Sequence, residues 1–270
     1  MRLSAYVNQH GIDAFNFDDF VFVSQYVAKS PDPLILVGGQ ALETWGLAFK
    51  VLAPTGDHAP LTEDADWLGS KKDALWLCER LGKQNTELML AGDFDSTPST
   101  ALAYLRRPDG RVLMMDFLRT IVGPSAEEVR RLAVPVRIAD QVTLNVLHPL
   151  LCLESRMGNL QVIPAKRTGN GPMQAQWAVA IVAAYLQAWS ATASKDEMAK
   201  ACRRLAEMAE FKYGRYCWTH YRLDPLQAIG LDLIEKIGLQ FESQEWPRVV
   251  NRIVERRRRW DEQAQRLANR

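Results

Sequence analysis

The alternation of apolar and polar positions changes character once along the chain, near His148. Before that point short apolar runs of strand length alternate with helical stretches; after it, apolar residues recur at helical spacing over long segments. The N-terminal residues predict a short extended start and then a helix over 17–28, where Phe17, Phe20, Val21, Tyr26 and Val27 are interspersed with Asp18 and Asp19. Ser30-Pro31-Asp32-Pro33 stops it, because proline lacks an N–H and restricts the residue before it. Residues 34–37 read as an apolar strand, Gly38-Gly39 as a turn and 40–51 as an amphipathic helix. A polar stretch leads to a second strand, opening on Asp64-Ala65-Asp66 and closed by Gly69-Ser70. Lys71–Leu81 predicts a helix with Ala74, Leu75, Leu77, Cys78 and Leu81 inward, and 86–90 a strand. The runs 100–106 and 111–118, joined by Arg107-Pro108-Asp109-Gly110, predict a hairpin. Ser125 is placed to cap a short helix through Leu132, and 134–138 with 142–147 form a second hairpin over Ala139-Asp140, where the sheet is expected to end.

Beyond His148, Pro149 suits the first turn of a helix through Leu160. A basic, glycine-bearing loop follows over 164–172, and then helices over 173–190, 196–211, 225–241 and 246–268. The fold class expected is therefore α+β: a core of mixed sheet and flanking helices over 1–147, then an all-helical domain over 148–270. With 270 residues, 47% of them hydrophobic, the chain can bury the core that such a plan needs. A net charge of +1 gives no global case for nucleic acid or an anionic membrane, so any such surface must be a local patch. The four cysteines, Cys78, Cys152, Cys202 and Cys217, show no Cys-x-x-Cys pairing, which argues for reduced thiols inside a cell. The N-terminus lacks the apolar run of a signal peptide, and no stretch approaches the roughly 18 apolar residues of a membrane span. A cytoplasmic protein without a membrane partner is expected.

Chemistry concentrates in the first half. Side chains alternate along a strand, so Asp64 and Asp66 project on one side and call for a cation between them. Mg²⁺ suits such a site, taking a few carboxylates and completing its shell with water and phosphate oxygens. The Gly38-Gly39 turn before a helix supplies backbone N–H groups that can close on an anion, and the helix N-terminus favours negative charge there. A phosphate cradle beside a metal site suggests a nucleotide. Asp116, inside the apolar run VLMMDFL, is costly to bury ionised without compensation, and becomes a third ligand if its strand neighbours that of Asp64 and Asp66. Cys217-Trp-Thr-His220 is half of a zinc spacing with no second pair, so a packed or partly exposed role fits it better. Arg248, Arg252, Arg256 to Arg259, Arg266 and Arg270 either line a solvated helix end or grip the phosphates of an RNA. Trp177, Tyr185, Trp189, Trp218 and Tyr221 at helical spacing read as core.

Taken together, the Gly-Gly turn opening a helix, Thr62-x-Asp64-x-Asp66 on the next strand, Asp116 alone in a later strand and the helical second half resemble the DNA polymerase β-like nucleotidyltransferase superfamily. Within it the chain looks most like bacterial nucleotidyltransferases of the abortive-infection toxin type and their uncharacterised relatives. The resemblance covers residues 34–166, about half the chain. It implies that Asp64 and Asp66 hold two Mg²⁺ ions, with Mn²⁺ as a substitute, and that Asp116 holds one of them and helps activate the attacking hydroxyl. It further implies that Gly38 and Gly39 contact the nucleotide phosphates and that Thr62 supports the metal-binding strand. Arg156 and Lys166 are the candidates for a basic group at the triphosphate. The activity implied is transfer of a nucleotidyl group from ATP or another NTP to a hydroxyl, on RNA such as tRNA or on a protein, in a cleft between the two halves. Two other readings stay open. One is a catalytically silent module that binds a nucleotide or an antitoxin-like partner in a toxin–antitoxin pair; the other is kinase-like or hydrolytic use of the same site.

Overall fold

The structure is a computed structural model that describes residues 2–54, 63–92, 94–211 and 213–268. The chain divides into two compact units, one of residues 1–44 and 55–152 and the other of residues 45–54 and 153–270. The first holds α1 (Leu3–His10), α2 (Phe17–Val27), β1 (Ile35–Leu36), the start of α3 (Gly38–Phe49), β2 (Ala65–Leu68), α4 (Lys71–Leu81), β3 (Thr86–Leu90), β4 (Ser99–Arg106) and β5 (Val112–Leu118). It continues with α5 (Ala126–Leu132), β6 (Val134–Ala139), β7 (Val142–Val146) and the first residues of α6 (Pro149–Val162). The class is α+β, with a mixed seven-stranded sheet in the order β3-β4-β5-β2-β1-β7-β6. β2 runs parallel to β5 and β1 parallel to β7, while the other neighbours are antiparallel.

Alternation sorts the central strands into two unlike faces. Ala65, Trp67, Leu113, Met115 and Phe117 are fully buried on one. Asp66, Met114 and Asp116 stand on the other, where α1 packs Leu3, Tyr6 and Val7 against Tyr104, Val112, Leu102 and Met114. α2 lies on β6 and β7 and against α4, which covers β3 and β4. Both helices start with a capping box, Asn16 with Asp19 and Ser70 with Asp73. Ser125 caps α5 as expected, and His148 Nδ1 accepts the Leu150 N–H at 3.2 Å at the start of α6.

Several elements differ from the sequence reading. The first residues are helical rather than extended: Arg2 offers no side-chain cap, but Glu87 of β3 accepts the backbone N–H groups of Leu3 and Ser4 and the Ser4 hydroxyl. These bonds hold the Glu87 carboxyl below its usual range even against the opposing effect of burial. A cap supplied from a strand more than eighty residues away leaves no local signature. Glu87→Ala is expected to cost about 1 kcal/mol, as losing a cap does. The loss should read out as faster amide exchange across Leu3–His10 with little change in α4. In α2 the expected polarity is inverted at the first turn: Phe17 is 56% exposed while Asp19 is 1% exposed, held by Arg107 and Arg111. Leu75 is exposed because 74, 77, 78 and 81 share one helical face and 75 falls off it.

The second unit contains the rest of α3 and α6, a 3₁₀ turn (Pro164–Lys166), α7 (Asn170–Trp189), α8 (Lys195–Glu210), α9 (Gly214–Tyr221), a second 3₁₀ turn (Pro225–Ala228), α10 (Leu231–Ile237) and α11 (Trp246–Ala268), the last preceded by a π turn (Phe241–Glu245). The basic loop is shorter than expected. Gly169, at φ +59, turns the chain so that α7 begins at Asn170, and Pro172 falls in its first turn, where an N–H has no acceptor to lose. The single helix expected over 225–241 is broken, with Gly230 extended before α10 and Gly238 at φ +128 after it. α9 was not foreseen, since GRYCWTHY carries no apolar period; a Tyr216–His220 ring contact one turn apart helps hold it.

The arginines of α11 are largely committed inside the unit. Arg252 and Arg256 pair with the buried Glu210, Arg257 makes a two-pronged contact with Asp224 beneath the Trp218 ring, and Arg258 bridges Glu255 and Glu262. Trp177 is buried and donates to the Val51 carbonyl at 3.2 Å, and Tyr185 stacks on Trp189. Among the described residues no helix is long and apolar enough to cross a membrane.

Candidate metal and phosphate site

Parallel pairing of β2 with β5 sets Asp66 opposite Asp116, so two carboxylates leave one sheet face from neighbouring strands, about 5 Å apart at the backbone. Asp64 lies two residues before Asp66, just ahead of β2, and its charge acts on Asp116. Burial is the main reason the Asp116 carboxyl is pushed up to about 6; a hydrogen bond from Ser99 works against the rise and Asp64 adds to it. Asp116 Oδ2 accepts that bond at 2.8 Å, while Oδ1 is buried without a hydrogen-bond partner. A carboxylate oxygen in that condition is an expensive feature unless something positive meets it.

The other half of the site is the head of α3. The helix starts at Gly38, two residues earlier than the sequence suggests, with Gly38 at φ +67 and Gly39 buried behind it. Asp66 presses against this turn: a methyl group built on Gly38 would meet Asp66 Oδ2 at 1.7 Å. Glycine is required here twice over, for the left-handed backbone and for the space. The first N–H groups of α3 have no acceptor within the helix, and the positive end of its dipole lies at the same place.

The residue types fit a hard divalent cation, because the set is all carboxylate and one of its oxygens is buried and unmet. Among the described residues, no group of three or more His, Cys, Asp or Glu side chains is placed to hold a metal ion. An octahedral Mg²⁺ site completed by water and phosphate does not need such a group.

The structure thus sets Asp66 opposite Asp116 on adjacent strands, Gly38 against Asp66, and Asp64 two residues ahead of Asp66, where its charge acts on Asp116. Thr62 lies outside the described residues. Arg156 and Lys166 belong to the helical unit, where with Asn159, Leu160, Gly171 and Gln174 they line one tight recess. Arg156 is 7% exposed and donates to Gln174 Oε1 at 2.7 Å, whereas Lys166 is exposed. Neighbouring Glu154 is buried and paired with Arg204. Cys217 is buried too, its thiol donating to the Met157 carbonyl at 3.6 Å, the packed one of the two roles expected. Sequence reasoning missed Ser99, which sits in the run Ser96-Thr97-Pro98-Ser99-Thr100 and gives no sign that its hydroxyl meets a strand carboxylate. No protein-family model matches the chain, and a comparison with curated proteins returned no relative.

Proposed function

We propose that the protein is a Mg²⁺-dependent nucleotidyltransferase of the DNA polymerase β-like type, moving a nucleotidyl group from an NTP to a hydroxyl acceptor. The observation that carries this reading is the buried, unpartnered Oδ1 of Asp116, level with Asp66 on the adjacent parallel strand and beside a glycine turn at a helix head. Asp64, Asp66 and Asp116 would hold the cations, which supply acidity to the attacking hydroxyl and stabilise the entering and leaving oxygens. Gly38 and Gly39 offer backbone N–H groups to the phosphates without side chains in the way. Asp116, which the resemblance makes a ligand of one cation, would also help activate the acceptor hydroxyl. The protein's contribution is placement and charge, as in phosphoryl-group chemistry generally. RNA or a protein as acceptor, and a toxin role with an antitoxin-like partner, are extensions carried by the resemblance alone.

Incubating the protein with each α-labelled NTP, Mg²⁺ and a cell extract tests the reading, with the Asp64→Asn/Asp66→Asn double variant as control. Label in the RNA, protein or small-molecule fraction, absent from the control, is the expected result and names the acceptor class. Mg²⁺-dependent NTP binding without labelled product would replace the enzyme with a nucleotide-binding module. Released free phosphate or a phosphorylated acceptor would replace nucleotidyl transfer with hydrolysis or kinase action.

A further inference from the structure

We infer that Ser99 is a positioning residue for Asp116, its hydroxyl fixing one carboxylate oxygen so that the other is presented to the cation side. The inference rests on the metal-site reading above. On an unbroken β4, opposite pairing would follow Leu102↔Asp116 with strict alternation. The register instead shifts between Ser99 and Ala101, so that Ser99 stands opposite Leu118, on the face that carries Asp116. A bulge of this kind re-aims a side chain, and bulges gather beside active sites for that reason.

The bulge is held from several directions. Thr100 Oγ1 donates to the Phe117 carbonyl at 2.8 Å and reaches the Gly69 carbonyl at 3.3 Å, tying it to β5 and to the end of β2. The Ser99 N–H donates to Thr97 Oγ1 at 3.2 Å. Arg119, three residues beyond Asp116, donates its backbone N–H to the Pro98 carbonyl and its guanidinium to the Thr97 carbonyl at 2.7 Å. So many bonds on one irregular turn hold the Ser99 backbone in place, and the Ser99 hydroxyl's bond to Asp116 Oδ2 restrains the carboxylate. Oδ1 stays buried and without a hydrogen-bond partner. Groups that orient a ligating carboxylate in this way act on metal affinity rather than on the fold.

The test is Mn²⁺ binding to the 270-residue chain, followed by the electron paramagnetic resonance of the free ion, without NTP. Ser99→Ala should weaken Mn²⁺ binding about tenfold, in line with loss of a hydrogen bond to a metal ligand. Ser99→Thr, which keeps the hydroxyl, should restore binding to within about threefold of wild type. Ser99→Cys, nearly isosteric with a weaker donor, repeats the loss if the alanine protein folds poorly. The metal-free melting temperature of Ser99→Ala should stay within about 4 °C of wild type. Ser99→Ala or Ser99→Cys that binds Mn²⁺ as tightly as wild type, or Ser99→Thr that fails as badly as alanine, overturns the positioning role while the metal site stands. A wild-type protein that binds no Mn²⁺ overturns both.

Discussion

Replacing Asp116 by asparagine should abolish turnover and, at the same time, make the metal-free protein more stable at neutral pH. On the proposed reading the loss of activity follows from removing a cation ligand, and about a thousandfold or more is expected. The gain follows from linkage. Burial raises the folded-state value of Asp116 from 3.8 to about 6, so the fold favours the protonated acid. That favourable contribution is fully present below about pH 4 and is lost as pH rises through about 6, a swing of about 3 kcal/mol. At pH 7.5 in a chelator, Asp116→Asn escapes this penalty and should melt several degrees above wild type, at roughly 2–4 °C per kcal/mol. At pH 4 the two proteins should melt together. Mg²⁺ at pH 7.5 should raise the wild-type melting temperature and leave that of the variant nearly unmoved. An asparagine variant less stable than wild type at pH 7.5 would mean that Asp116 is satisfied within the fold and has no cation to meet.

Gly38→Ala is the second large effect. Its φ of +67 already disfavours any other residue, and the added methyl would fall 1.7 Å from Asp66 Oδ2. The backbone strain alone costs about 1–3 kcal/mol. The greater consequence is that the Asp66 carboxylate must move by more than an ångström. Displacement on that scale costs about a hundredfold in rate where reacting groups are held by position. Gly110→Ala is the matched control, with a similar φ of +92 but open space where the methyl would go. Thermal melts should show a loss in both variants, larger in Gly38→Ala because of the added clash, whereas Mn²⁺ binding should fall only in Gly38→Ala. Equal metal binding in both would dissociate Asp66 from the site.

The parts of this molecule that were legible in the sequence are those whose signals are local. The helix Lys71–Leu81 was legible from its apolar face, Leu75 apart, and the β4–β5 hairpin from its Pro-Asp-Gly turn. Asp116 was conspicuous because a carboxylate inside an apolar strand is an energetic anomaly. What escaped was non-local. Helix α1 depends on a cap from β3, and the break at Gly238 in the span expected to be one helix reflects a left-handed residue that apolar periodicity does not register. Ser99 owes its place to a register shift, which depends on how two strands settle against each other. The arginines of α11 looked available for phosphate because their partners Glu210 and Asp224 lie more than thirty residues away.

The four cysteines carry one more consequence. All are buried and none is disulfide-bonded, and burial holds the thiols of Cys78, Cys202 and Cys217 at about 11, 12 and 12. Thiolate, the form that attacks a disulfide reagent, is therefore withheld from the native protein at neutral pH. Cys78 belongs to the sheet unit, Cys202 and Cys217 to the helical unit. Labelling by such a reagent becomes a clock for local opening, with one hand in each unit.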